Sequence, residues 1–221
     1  MARYSNLGGV DTIRPLQRLE ALANVVPDLR EIGAEIGAPD GVGATTATRA
    51  DGEPGTFEGV DVDELAGRLV DVLRAHGETL DRLESSDVVE LLRSLDRLRA
   101  LLCIGEVDRA AQALNDLFDE VGARPRLSRH DGSPWHLHVD PDDAGWGTWL
   151  LASSALALAM CLQEHGRITW GRCEASGCRR YFVGDGRGGA RRYCSERCAN
   201  RARVARHRSR LRPADARDHE A

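Results

Sequence analysis

Apolar residues recur at helical spacing through most of the chain. Leu16, Leu19, Leu22, Ala23 and Val26 mark a helical region over residues 14–36, weakened in its second part by Pro27, Gly33 and Gly37. Residues 38–59 are rich in Gly, Thr and Pro with few apolar positions, and read as a flexible surface loop. A helix over Asp63–His76 carries Leu65, Leu69, Val72 and Leu73 on one side. Asp87 and Glu90 have capping-box spacing for the next helix. Its apolar stripe is Val88, Leu91, Leu92, Leu95, Leu98, Leu101 and Leu102, wide enough for core burial. Glu106–Val121 follows with Val107, Ala110, Leu114, Leu117 and Phe118; Asn115 and Asp116 beside that face fit a local turn or rim contact.

The period then changes. Leu127, Trp135, Leu137 and Val139 occupy odd positions around an Asp131-Gly132 pair, which predicts a short hairpin packed on the helices. Asp142 or Asp143 is placed to cap a helix starting near Ala144 and running through Trp149, Leu150, Leu156, Ala159 and Leu162. That helix is apolar on several sides, so it belongs at the centre of the domain. Its apolar stretch, Trp149–Leu162, is too short to span a bilayer, and Met1–Val10 has no signal-like apolar run. The expected location is therefore cytoplasmic, with no membrane partner. Arg167–Trp170 reads as a short strand leading onward. The expected class is mainly α: a helical domain over residues 1–166 with a short β-hairpin, a small module over 167–212 ending in a basic helix, and a disordered tail over 213–221.

The module is defined by its cysteines. Cys173-x4-Cys178 and Cys194-x3-Cys198 are two close pairs separated by fifteen residues. Gly184, Gly186, Gly188 and Gly189 between them permit tight turns. Each pair can turn two thiols to one point, and four thiolates suit tetrahedral Zn²⁺ in a closed, structural site. An iron–sulfur cluster or reversible disulfides are the alternatives. Arg172, Arg179, Arg192 and Arg197 lie near enough in sequence to offset the thiolate charge. Cys103 and Cys161 fall in apolar helical patterns and read as small core residues. His136 and His138 share one face of the hairpin; two histidines at that spacing can bind a metal, but no third ligand is apparent.

Charge divides the chain. All 30 basic residues are arginine. Between Arg167 and Arg212 there are fourteen arginines and three carboxylates, a balance of +11. The tail carries −2 and residues 1–166 carry −14, within an overall charge of −5. The body should repel a polyanion and the module should attract one.

The segments Arg172-Cys-Glu-Ala-Ser-Gly-Cys-Arg-Arg-Tyr-Phe182 and Gly189-Ala-Arg-Arg-Tyr-Cys-Ser-Glu-Arg-Cys-Ala-Asn-Arg201 resemble the CGNR zinc-finger family, with Ala199 where the family's tetrad has glycine. Val183-Gly184-Asp185-Gly186 also departs from the family's usual stretch. The resemblance implies an N-terminal helical ABATE domain before the finger and a stress-induced transcription regulator.

Ser195 is the candidate N-cap of the last helix, which places Cys198 in its first turn. Ala199, Ala202 and Ala205 give a thin apolar line to rest on the zinc knuckle. Arg201, Arg203, Arg206, Arg208 and Arg210 are the candidate nucleic-acid contacts, since arginine suits phosphates and guanine edges. Asn200, Arg192 and Arg201 itself lie close enough to the metal loop to tie it down. The expected partner is double-stranded DNA; the alternative is a protein-interaction module docking an acidic partner or a second copy. Trp135, Trp146 and Trp149 are candidates to line a small-molecule effector pocket, with core packing the plainer reading. No phosphate loop, paired-histidine zinc motif or nucleophile elbow occurs, and a four-cysteine zinc has no open position, so no enzyme is expected.

Overall fold

The computed structural model describes residues 13–26, 61–129, 135–184 and 190–210. The expectations for the 38–59 loop, the Asp131-Gly132 turn, the glycines at 186, 188 and 189 and the 213–221 tail lie outside these residues. Among the described residues the chain forms α1 (Ile13–Val25), α2 (Val62–Ala75), α3 (Ser85–Leu102), α4 (Val107–Glu120), β1 (Arg126–Ser128), β2 (His136–His138), α5 (Trp146–His165), β3 (Trp170–Arg172), β4 (Tyr181–Val183) and α6 (Glu196–Arg210). The class is mainly α with two small antiparallel hairpins.

Helix α5 is the hub, and α1, α3 and α4 pack on it. It extends the apolar stretch to 20 residues, long and apolar enough by length and composition to cross a membrane. In this structure Leu150, Ala152, Ala155 and Leu158 are buried in the helical core. Leu91, Leu92, Leu95, Leu98 and Leu102 of α3 are fully buried, as their spacing required. Gly147 allows the close approach of α3 and α5: a Cβ there would lie 2.9 Å from Ser94 Oγ and 3.1 Å from the Glu90 carbonyl.

Several local expectations need correction. The capping box of α3 sits one turn earlier than Asp87. Glu84 is the N-cap, and its backbone N–H donates to Asp87 Oδ2 at 2.9 Å. Glu90 instead accepts from the Gly147 N–H at 3.4 Å, at the start of α5. Neither Asp142 nor Asp143 caps α5; the N-cap is Gly145, and Asp142 pairs with Arg126 at 3.1 Å. Cys103 is not a core residue. It lies just past α3 as its C-cap and is exposed, whereas Cys161 is buried. The strand expected over Arg167–Trp170 begins only at Trp170.

The first hairpin forms in the register Leu127↔Leu137, but its apolar face is covered only in part: Val139 is buried and Leu137 half-buried. Leu127 is 69% and Trp135 63% exposed. The polar face is half-buried as well, where Arg126 pairs with the buried Asp140 and donates to its carbonyl.

Two buried arginines fix α1. Arg99 donates to the Ala23 carbonyl at 3.1 Å and the Val26 carbonyl at 2.5 Å, closing the C-terminal end of α1. Arg18 reaches Glu78 at 2.5 Å and Ser153 Oγ at 2.7 Å and lies 4.1 Å above the Trp149 ring. Burial pushes the Arg18 guanidinium down from its ordinary range, opposed by the Glu78 carboxylate. Trp146 packs edge-on to Trp149 at 5.2 Å, both half-buried. Trp135 does not share their burial; it is exposed, with Arg129 over its ring at 5.3 Å.

Candidate metal centre

The second hairpin brings the metal segment to the body. Trp170, Tyr181 and Val183 are buried in the same core as the helices. Asn24 of α1 treats β4 as a strand would: the Tyr181 N–H donates to its Oδ1 at 2.8 Å, and its Nδ2 donates to the Tyr181 carbonyl at 3.0 Å. The Val183 N–H donates to Glu20 Oε2 at 3.1 Å. The module's first half is therefore rooted in the helical body.

From β3 the chain enters the first cysteine turn. The Cys173 N–H donates to the Arg180 carbonyl at 2.8 Å, and the Cys178 N–H to the Ala175 carbonyl at 2.9 Å. Gly177 closes this turn at φ +70°, a left-handed conformation that L side chains rarely adopt. The second pair sits at the start of α6. Ser195 is the N-cap: its Oγ accepts the Cys198 N–H at 3.3 Å, and its carbonyl accepts the Ala199 N–H at 3.0 Å. Cys194 thus lies just before the cap, and Cys198 at the third helical position.

All four sulfurs, of Cys173, Cys178, Cys194 and Cys198, lie within 4.8 Å of one another. Cys178–Cys194 and Cys194–Cys198 are each 3.7 Å apart. Sulfurs about 2.3 Å from one ion at tetrahedral angles stand about 3.8 Å apart, so the cluster has the size of a Zn–S4 tetrahedron. The thiols do not ionise alike. Withdrawal from water and the neighbouring thiols push Cys194 up to about 12. The Ser195 hydroxyl, ahead of the other contacts, draws Cys198 down to about 7. Four thiolates at this separation need a cation between them, which zinc supplies when bound.

The surrounding side chains tie the loops together. Arg192 pairs with Glu174, Nε to Oε2 at 2.7 Å, while the Glu174 N–H donates to the Arg192 carbonyl at 3.0 Å. Hydrogen bonding to Arg192 holds the Glu174 carboxyl below its usual range. Arg191 spans the two halves of the module. It donates to the Tyr193 carbonyl at 2.9 Å and the Cys194 carbonyl at 2.6 Å, with its guanidinium 5.1 Å from the Phe182 ring. Arg201 Nη2 donates to Cys198 Sγ at 3.6 Å, giving a ligand sulfur a positive neighbour. Asn200 is exposed, and its Oδ1 accepts from Arg203 at 3.0 Å. Asn24, Glu20, Glu174 and Arg191 carried no signal of these roles in the sequence, since their partners are loop backbone or distant in the chain.

Ala199 and Ala202 are half-buried against the knuckle, but Ala205 is exposed, so the apolar line ends after two alanines. From Arg203 to Arg210 every residue is exposed, and Cys198 is the buried residue of α6. The helix stands out from the knuckle with Arg206, Arg208 and Arg210 in solvent.

This arrangement defines a structural four-cysteine zinc module, with a closed ligand set and no position left for substrate. Within that class, residues 170–211 match the CGNR zinc finger family. The matched segment holds all four cysteines and α6, and the helical body lies outside it. No curated protein matches the chain.

Proposed function

We propose that the chain is a transcription regulator that binds duplex DNA through α6. The observation that carries this reading is an arginine-covered helix, fixed at its first turn by the metal cluster and exposed over the rest of its length. Cys198, Ala199 and Ala202 point to the knuckle. At 100° per residue, Arg197, Asn200, Val204 and Arg208 lie on the opposite side, with Arg203, Arg206 and Arg210 as a second row. A single helix fits the major groove; the arginine rows suit phosphates and guanine edges, and Val204, 49% exposed, suits a thymine methyl. Arg201 serves the metal centre as well. The −14 charge of residues 1–166 keeps the body off the polyanion and orients the finger toward it.

The helical body, in this reading an ABATE-like domain, senses a ligand or joins copies of the chain. The half-buried Trp146–Trp149 pair beneath Arg18 is its candidate effector-facing feature.

Anisotropy titrations of the zinc-loaded full chain with fluorescent duplexes test the proposal. Neutralising about four phosphates gives a log–log salt slope of roughly −3 to −4. Replacing Arg206, Arg208 and Arg210 with alanine should flatten that slope while zinc stays bound. No binding at low salt, or binding that ignores these substitutions, counts against DNA; binding transferred to acidic proteins favours the docking alternative.

A further inference from the structure

A second group of metal-ligating side chains lies on the first hairpin, away from the cysteines. His136 Nε2 and His138 Nε2 face each other at 2.9 Å, with the rings tilted by 49°. Both rings are half-buried. The other nitrogen of His138, Nδ1, donates to Asp140 Oδ1 at 3.1 Å. With Nδ1 donating to Asp140, the neutral His138 ring accepts through its Nε2 from the His136 Nε2–H, and an ion held by both nitrogens would take the place of that shared proton. Asp140 is itself buried, and Arg126 Nη2 lies 3.6 Å from its Oδ2. A carboxylate fixing one ring from behind is the usual support of a metal-bound histidine.

We propose that His136 and His138 chelate one divalent transition-metal ion, in cis positions, with water completing its shell. The two nitrogens stand at chelating separation. Imidazole nitrogens about 2.05 Å from an ion lie about 2.9 Å apart at a right angle and about 3.3 Å apart at the tetrahedral angle. The observed 2.9 Å is the length of a hydrogen bond between the two rings, and it lies within a few tenths of an ångström of both spans, so the pair can close on an ion with little movement of the strand. Charge permits it. The Arg126 cation beside the site is outweighed by Asp140 and Asp142, both paired to it. The backbone adds precision, because alternate residues of a strand project to one face, as these two histidines do. The inference is independent of DNA binding and of the four-cysteine site.

Nickel is the probe, since it does not oxidise the thiols. Zinc-loaded full chain without an affinity tag is titrated calorimetrically with nickel chloride, and zinc content is measured before and after. The wild type should take up one nickel without losing zinc. His136→Gln and His138→Gln should each abolish that uptake, and Asp140→Asn should weaken it by about 10–100-fold. A second readout needs no substitution: paramagnetic nickel should broaden the ring signals of His136 and His138 first among the seven histidines. No nickel uptake by zinc-loaded wild type, equal uptake by the glutamine variants, or earlier broadening at other histidines would overturn the proposal.

Discussion

The two halves of the zinc module are held by different physics. The β3–β4 half is part of the body: Trp170, Tyr181 and Val183 join the aliphatic core, and Asn24 and Glu20 satisfy the β4 backbone. The knuckle that joins the second half to it has, among the described residues, a core of the four cysteines, Ala175 and Tyr193, and α6 buries nothing beyond Cys198. Burial of aliphatic surface fixes the first, and metal coordination the second. A finger built this way is rooted at one end and presented at the other, so α6 can be exposed without the segment being loose at its base.

The largest effect should separate the halves outright. Zinc binding is worth about 10–16 kcal/mol in small finger peptides. Cys198→Ser should lose zinc, measured by atomic absorption, and should melt α6 while the main thermal transition stays. If the main transition collapses with it, the halves are one cooperative unit. Next in size, Leu98→Ala removes a fully buried side chain and should lower body stability by about 2–5 kcal/mol in urea, with zinc content unchanged. Asn24→Ala tests the seam. It leaves the Tyr181 N–H and carbonyl without these partners and should cost about 1–3 kcal/mol, read as faster amide exchange in β4. The smallest effect belongs to Ser195→Ala, which removes the N-cap of α6 for about 1 kcal/mol and should reduce helicity without releasing zinc.

Much of this was legible in the sequence because it is local. The apolar spacing of α2 through α5 reports helical geometry directly, and Leu91, Leu95, Leu98 and Leu102 are buried where that spacing puts them. The cysteine spacing and Ser195 announced the metal centre for the same reason: a turn and a helix cap are short-range objects. What could not be read depends on partners far along the chain. Arg18 and Arg99 look like any surface arginine, and only the meeting of α1 with α3 and α5 buries them. Alternation located the hairpin and the burial of Val139, but not the exposure of Leu127 and Trp135 on the same face. Period two says which residues share a face and leaves how far that face is covered to tertiary contacts. Glu84 carries little signal as a cap, because glutamate is an uncommon N-cap and Ser85-Ser86 resembles loop.

Hydrogen exchange followed by mass spectrometry, on the full chain with zinc and after chelation, tests the division most directly. Chelation should strip protection from residues 190–210 and leave α1 through α5 and the β3–β4 hairpin as slow as before. Unchanged protection of α6, or loss of protection across the helical body as well, would contradict it.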